Sequence, residues 1–305
     1  MIYHICLSDY FYNNYSTCMV FIRRFIILAI ILSFQIFPQE TKYELFPEGQ
    51  NFMPLKASHQ EARMGILYYP ENGYLKVDIG NSSDLFAISF LKNDKLTLAI
   101  DFMAYALSTN YSGKRLQIAV LDGFFGGHGA YRLSFEDRNI LFRFRIIHNS
   151  AHFVDGLWDV AKDDWIGEDR PIPFTQDFGE LTVADEHILN FGSIKYYSSV
   201  AYATMVRPAE LEKWSFSAGI EINSDKVFGM FLQKPVNIFF ASHNVFAGKP
   251  EYKLSSNNLL GVKFGDWYGK GLTLYFSYYN GNHKFSEYYF KRVSQFGIGF
   301  SVDFF

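Results

Sequence analysis

The chain has 305 residues, a formal net charge of −3 and an aromatic content of 19%, with 33 Phe and 21 Tyr. A soluble domain of this length normally carries more charge and fewer rings. The near-neutral balance gives no reason to expect nucleic acid as a partner. Both cysteines, Cys6 and Cys18, precede an apolar run, so a protein processed after that run has no disulfide, catalytic thiol or cysteine-bound metal.

The N-terminal region has the order of a secretory signal. Arg23 and Arg24 are followed by an uncharged run from Phe25 to Phe37. This run is too short for a bilayer core of about 30 Å, which needs roughly 20 apolar residues. A basic segment followed by a short apolar one is typical of a signal peptide. We therefore predict a signal peptide over residues 1–39, with Met19 as the true start.

The rest of the chain contains segments of about ten residues separated by turn signals, the repeating pattern of a transmembrane β-barrel. In the last segment, Gln295 to Phe305, apolar residues alternate strictly with small or polar ones. A chain that stops on an aromatic residue within such a strand looks like a bacterial outer-membrane β-barrel. We predict twelve strands, at Leu85–Leu91, Leu96–Ala106, Arg115–Leu121, Gly129–Phe135, Ile140–Asn149, Leu189–Val206, Trp214–Ile222, Val227–Leu232, Val236–Phe246, Leu259–Trp267, Leu272–Tyr279 and Val293–Phe305.

The predicted fold class is therefore all-β, an antiparallel transmembrane β-barrel of about 12 strands after an N-terminal signal peptide. An even count suits a single-chain bacterial barrel with both ends in the periplasm. Residues 40–83 form a periplasmic lead or an extra hairpin, residues 84–305 form the barrel, and residues 150–188 form a long outer loop. The rival fold is a soluble periplasmic β-sandwich, in which the apolar strand faces would pack against each other.

The segment from Arg143 to His152 places its polar residues on two faces of a strand. Because side chains alternate along a strand, Arg143 and Arg145 point into the lumen. The same alternation places His148, Ser150 and His152 on the outer wall, near the outer end of the strand. A serine and a histidine two positions apart can reach hydrogen-bond distance, which a serine nucleophile requires of its base.

This His-x-Ser pattern resembles the catalytic strand of the outer-membrane phospholipases. By that resemblance, Ser150 is the nucleophile and His148 the base of a lipid-acting serine hydrolase, of the phospholipase or lipid A deacylase type. Ala151 and His152 depart from the Asn and Gly that this family places after the serine. The alternative interpretation is a polar strand end at the membrane interface, without catalysis.

A broader resemblance is to the domain of unknown function 1207 family, uncharacterised bacterial proteins regarded as outer-membrane proteins. The resemblance implies an outer-membrane location but no activity. It extends roughly from Phe46 to Asp155 and is carried by Phe46-Pro47, by Phe52-Met-Pro54-Leu55 with Glu61 and Gly65, by Asp122-Gly-Phe-Phe-Gly126, and by His148-Asn-Ser150-Ala-His152-Phe-Val-Asp155.

Two patterns indicate a metal at the outer face. Imidazole is a good ligand for zinc, and His148 and His152 precede Asp155 in the predicted outer region. The segment Asp155 to His187 holds ten acidic residues, and hard cations such as calcium take oxygen ligands. We therefore name His148, His152 and Asp155 as candidate metal ligands for calcium or zinc. The alternative is a solvated loop that charge keeps soluble.

Together these patterns predict an outer-membrane protein that binds ligands at the surface or passes small solutes through a narrow lumen. A lipid hydrolase using Ser150 and His148 is the alternative. The expected partners are outer-membrane lipids, the barrel-assembly machinery and small solutes.

Overall fold

The computed structural model describes residues 41–90, 93–111, 115–153, 158–165 and 170–304. From Tyr43 onward the described chain forms one compact unit. The predicted signal peptide and its start lie outside the described residues. Within the described ranges, no helix is both long enough and apolar enough to cross a membrane.

The described chain is almost entirely β-structure. One 3₁₀ turn, Ser286–Tyr288, interrupts the connection before the last strand. The strands are β1 (Lys42–Leu45), β2 (Met64–Tyr69), β3 (Tyr74–Ser89), β4 (Lys95–Tyr111), β5 (Arg115–Ser134), β6 (Arg138–Phe153), β7 (Trp158–Asp159), β8 (Asp164–Trp165), β9 (Thr175–Leu189), β10 (Gly192–Arg207), β11 (Trp214–Ser224), β12 (Met230–Phe231), β13 (Lys234–Gly248), β14 (Tyr252–Gly265), β15 (Gly271–Asn282) and β16 (Arg292–Asp303).

Twelve of these strands close into an antiparallel β-barrel, which confirms the predicted all-β barrel and its number of strands. Each barrel strand pairs with its neighbour in the chain, and β16 returns to pair with β2. The closing seam pairs residues 298–302 of β16 with β2, and β1 lies beside β3. Among the described residues, the short strand β12 pairs with β13, and β7 pairs with β8.

The number of strands is as predicted, but their identities differ at four places. Two barrel strands, β2 and β9, fall in segments predicted as a lead or hairpin and as a loop. The predicted segments Arg115–Leu121 and Gly129–Phe135 are two halves of β5. The predicted strand Val227–Leu232 lies mostly in a connection.

Each difference has a local cause. The glycines in the middle of β5 suggest a hairpin tip, yet they let β6 approach closely, since a Cβ on Gly126 would collide with the carbonyl oxygen of Ile146. The acidic residues of β9 suggest a solvated loop, but Glu180 is paired inside the lumen. Left-handed backbone at Leu232 and Gln233 interrupts the segment before β13.

The two ends of the barrel differ in their connections. We call the end where β16 finishes the C-terminal end, and the other the loop end. Four of the five connections at the C-terminal end are short, spanning 90–94, 135–137, 190–191 and 266–270, whereas 225–233 is longer. The loop end carries the longest connection, 154–174, which includes β7 and β8, and the connection 283–291 with the 3₁₀ turn.

Apolar and polar side chains are separated between the two faces of the wall. Many charged and amide side chains point inward and are buried, whereas many large apolar side chains point outward and stay exposed. The outward set is continuous along neighbouring strands; examples are Leu98, Ile100 and Phe102 on β4, Leu272, Leu274 and Phe276 on β15, and Phe296, Ile298 and Phe300 on β16.

Candidate functional site

The lumen of the barrel is occupied by the chain that precedes β2. We call residues 50–63 the plug segment. Phe52 and Leu55 from this segment are buried and pack against the inner wall at Leu141 and Tyr197. The sequence shows that this segment contains apolar residues, but it does not show where they pack. The segment has no periodicity, and its partners are far away in the chain.

Hydrogen bonds from the wall hold the backbone and side chains of the plug segment. The Asn51 side-chain amide donates to two backbone carbonyls, Lys95 O at 2.9 Å and Ala130 O at 3.1 Å. The Lys56 backbone N–H donates to Glu221 Oε1 at 2.6 Å, and Asn257 Nδ2 donates to Ala57 O at 2.6 Å. These bonds reach strands on several sides of the barrel, so the segment is fixed across the lumen.

Arg143 and Arg145 both point into the lumen, where they hold the plug segment to β9. Arg143 donates two hydrogen bonds to the carboxylate of Glu61, at 2.9 and 2.6 Å. Arg145 lies 2.8 Å from Glu180 Oε1 and donates to the carbonyl of Gln60 at 3.0 Å. All four charged side chains are nearly excluded from solvent, so each charge depends on its partner.

A recess of about 1000 Å³, including its open mouth, lies between the plug segment and the loop end. Residues Ser58 to Gln60 of the plug segment form its bottom. The rings of Phe174, Phe178 and Trp214 line one part of it. His243 also lines it and forms a hydrogen bond of 3.0 Å with Tyr197 Oη. A concave site that combines apolar rings with a few polar groups is typical of small-molecule binding.

A second recess opens on the other side of the plug segment, towards the C-terminal end. Its volume, including its open mouth, is about 760 Å³, and Phe52 and Met53 contribute to its lining. The wall there presents Arg132, Glu186 and Lys195. The plug segment therefore lies between two recesses that face opposite ends of the barrel.

On the outer wall, the structure joins Ser150 to a different histidine from the one predicted. Ser150 Oγ and His152 Nε2 are 3.0 Å apart, whereas His148 Nδ1 lies 2.6 Å from Asp177 Oδ1. In the register of β6 and β9, Asp177 lies directly opposite His148, which explains why His148 contacts Asp177 and not Ser150. The ring of His148 also packs on Phe125, with centroids 4.7 Å apart.

His148 and His152, two of the predicted metal ligands, have different partners in the described chain. They are four positions apart along an extended strand, about 13 Å between their Cα atoms, and His148 contacts Asp177 whereas His152 contacts Ser150. Asp155 lies outside the described residues. The acidic segment is also divided, since Asp177 faces outward and Glu180 faces the lumen. In the described ranges, no three His, Cys, Asp or Glu residues converge as metal ligands.

The loop end has a further polar feature that the sequence does not indicate. In the 3₁₀ turn of residues 286–288, the backbone N–H of Ser286 donates to Asp122 Oδ2 at 3.0 Å. The neighbouring Glu287 is fully buried. This burial, together with the charge of Asp122, raises the pKa of the Glu287 carboxyl to about 8.

No protein-family model, no curated protein and no solved structure matches this chain. The resemblance to the domain of unknown function 1207 family therefore stays a prediction.

Proposed function

We propose that the chain is an outer-membrane β-barrel closed by its own plug segment, and that it binds a small solute in the recess at the loop end. The apolar outer wall supports the membrane location. Large apolar side chains on β4, β15 and β16 cover the surface that lipid would contact, whereas many charged side chains are buried in the lumen. Outer-membrane lipids are then partners of the wall, and the barrel-assembly machinery is needed for its insertion.

The unequal connections support an orientation. In barrels of this class, long loops face the cell exterior and short turns face the periplasm. The loop end, with the connection 154–174, is then the outer end. The recess of about 1000 Å³ opens towards that side, so it is accessible to solutes from outside the cell.

The plug segment is the observation that favours binding over open passage. Its ion pairs and hydrogen bonds join it to β6, β11 and β14, between the two recesses. Passage of a solute requires that these bonds open.

Conductance across planar bilayers tests this proposal. The wild-type barrel should show no steady conductance, whereas a variant with residues 52–61 replaced by a Gly/Ser segment of equal length should conduct. Ser150→Ala, on the outer wall, serves as the control and should stay closed. Steady conductance of the wild type at neutral pH would contradict the plugged state and support the narrow passage of solutes.

The second candidate function is that of a lipid-acting serine hydrolase on the outer wall. The contact of 3.0 Å between Ser150 Oγ and His152 Nε2 favours it, because a base at this distance can take the proton of an attacking hydroxyl. This geometry makes His152, rather than His148, the base. The test is fatty acid release from phospholipid or lipid A in mixed micelles. Loss of activity in Ser150→Ala and His152→Ala, with retention in His148→Ala, would support it, and inactive wild-type protein would exclude it.

A further inference from the structure

The connection between β15 and β16 turns back into the barrel instead of extending into solvent. Its 3₁₀ turn, Ser286–Tyr288, is buried along its whole length. Ser286 contacts two inward residues of the wall, because its N–H donates to Asp122 and its hydroxyl accepts from Asn149 Nδ2 at 3.3 Å. The carbonyl of Glu287 also accepts from the Ile172 N–H at 3.0 Å. The turn is therefore packed between β5, β6 and the connection 154–174.

Four side-chain oxygens beneath this turn receive no hydrogen bond from the described residues. They are Asp122 Oδ1, Asn149 Oδ1 and both carboxylate oxygens of Glu287. The three side chains are 0%, 1% and 0% exposed, so bulk water does not solvate them. Burying a carboxylate or an amide oxygen without a partner is costly, and native proteins seldom leave such groups unsatisfied.

The three side chains belong to one small region. Asp122 and Asn149 lie on the inner face of adjacent strands, since Asp122 pairs with Ala151 and Phe124 pairs with Asn149. They are thus diagonal neighbours, about 7 Å apart at their Cα atoms. Ser286 touches both, and Glu287 follows Ser286 in the chain. The electrostatic effect of Asp122 on the Glu287 carboxyl agrees with this placement.

Within the described ranges, no Lys, Arg or His forms a direct ion pair with Asp122 or Glu287. The charges of Lys76 and Lys249 act on Asp122 at longer range. The hydroxyl of Tyr105 donates to Asp122 Oδ2 at 3.2 Å, and this bond leaves Oδ1 unused.

We propose that Asp122, Asn149 and Glu287 form a calcium site that fastens the β15–β16 connection to the inner wall at the loop end. Every unsatisfied atom is an oxygen, which selects a hard cation over zinc. Two carboxylates balance the charge of one divalent ion. Calcium accepts irregular arrangements of carboxylate and amide oxygens, whereas magnesium demands near-ideal octahedral geometry and retains its waters.

This site differs from the one that the sequence predicts at His148, His152 and Asp155. It also does not depend on the proposed closure of the lumen, because it holds a connection rather than the plug segment. Its consequence is that calcium in the external medium orders the connection over the mouth of the barrel.

Calcium titration of the refolded protein in detergent, after treatment with a chelator, tests the proposal. Isothermal calorimetry should give one site with a Kd on the order of 10⁻⁴ M, in the range of extracellular calcium modules. Glu287→Gln keeps the shape and removes one charge, so it should weaken binding at least about tenfold. Glu251→Gln is the control, since Glu251 lies at the same end but is exposed, and its affinity should equal that of the wild type.

A second measurement uses only the wild type, so it tests the proposal even if the variant fails to fold. Hydrogen exchange of residues 283–291 should slow when calcium is added, whereas the connection 266–270, at the C-terminal end of the barrel, should exchange at an unchanged rate. The proposal is overturned if the wild type shows no calcium binding below about 10⁻³ M, if Glu287→Gln binds as tightly as the wild type, or if calcium leaves the exchange of residues 283–291 unchanged.

Discussion

At the scale of single residues, the charges in the lumen decide how firmly the plug segment is held. Arg143 is buried against Glu61 and lies 4.4 Å from the centre of the Phe52 ring, so one side chain joins the wall to two parts of the plug segment. A buried charge that loses its partner is left uncompensated in a medium that solvates it poorly. The contribution of this pair is therefore best measured by the removal of one member.

We expect Arg143→Ala to lower the free energy of unfolding by about 3–5 kcal/mol, because it leaves Glu61 charged and buried. Arg138→Ala is the matched control. Arg138 also forms two hydrogen bonds of 2.7 Å with one carboxylate, that of Asp185, but both side chains are substantially exposed. The loss in Arg138→Ala should be much smaller. Urea unfolding in detergent, followed by tryptophan fluorescence, makes the comparison, and equal losses would contradict it.

At the scale of elements, the sequence predicts strands where apolar and polar residues alternate and misses them where charge obscures the alternation. The alternation of side chains along a strand is enough to predict which residues of β6 face inward and which face outward. In the structure, Arg143 is buried and Phe144 is exposed. β9 is not predicted as a strand, because its acidic residues are typical of a solvated loop. The pairing of His148 with Asp177 is likewise hidden, since it depends on the register between two strands whose connection is long.

Strand β11 approaches β10 closely at one glycine. Gly219 stands opposite Tyr197, and a Cβ there would collide with the tyrosine ring and with the carbonyl of Ser242. Gly219→Ala should therefore displace Tyr197 from Leu55 and lower the free energy of unfolding by about 1–3 kcal/mol.

Gly129→Ala is the control for this substitution. Gly129 lies within β5, and an added Cβ there makes only ordinary contacts, the nearest at 3.6 Å from Leu98. Thermal unfolding in detergent compares the two variants. A Gly129→Ala variant as unstable as Gly219→Ala would show that the close approach to Tyr197 is not the cause.

At the scale of the whole molecule, the closed barrel is predictable from the sequence and the filling of its lumen is not. Alternation repeats in most strands, so many weak local signals add to one strong prediction of a barrel even where single strands are missed. The plug segment and the turn at Ser286–Tyr288 carry no repeated pattern. Their partners, such as Glu61 with Arg143 and Ser286 with Asp122, are far apart in the chain and meet only after the barrel closes.

If lipid surrounds the outer wall, the cost of a charge there should depend on depth. Phe276 lies in the middle of β15, is half exposed and stacks on Phe296 at 5.9 Å. Phe276→Arg should destabilise the barrel in lipid vesicles by about 2–4 kcal/mol, and Leu272→Arg, at the strand end, by about 0–1 kcal/mol. Urea unfolding in vesicles measures both. Similar effects for the two variants would argue against a membrane belt at this depth.

The seam between β16 and β2 has a consequence for the order of assembly. It contains five paired positions, from Met64 with Val302 to Tyr68 with Ile298, whereas the seam between β15 and β16 runs along the full length of both strands. The plug segment immediately precedes β2 in the chain, so it has to be enclosed before this short seam forms. Closure of the barrel at this seam therefore traps a segment that already lies in the lumen, so the plug segment is built in during assembly and is not added to a finished barrel.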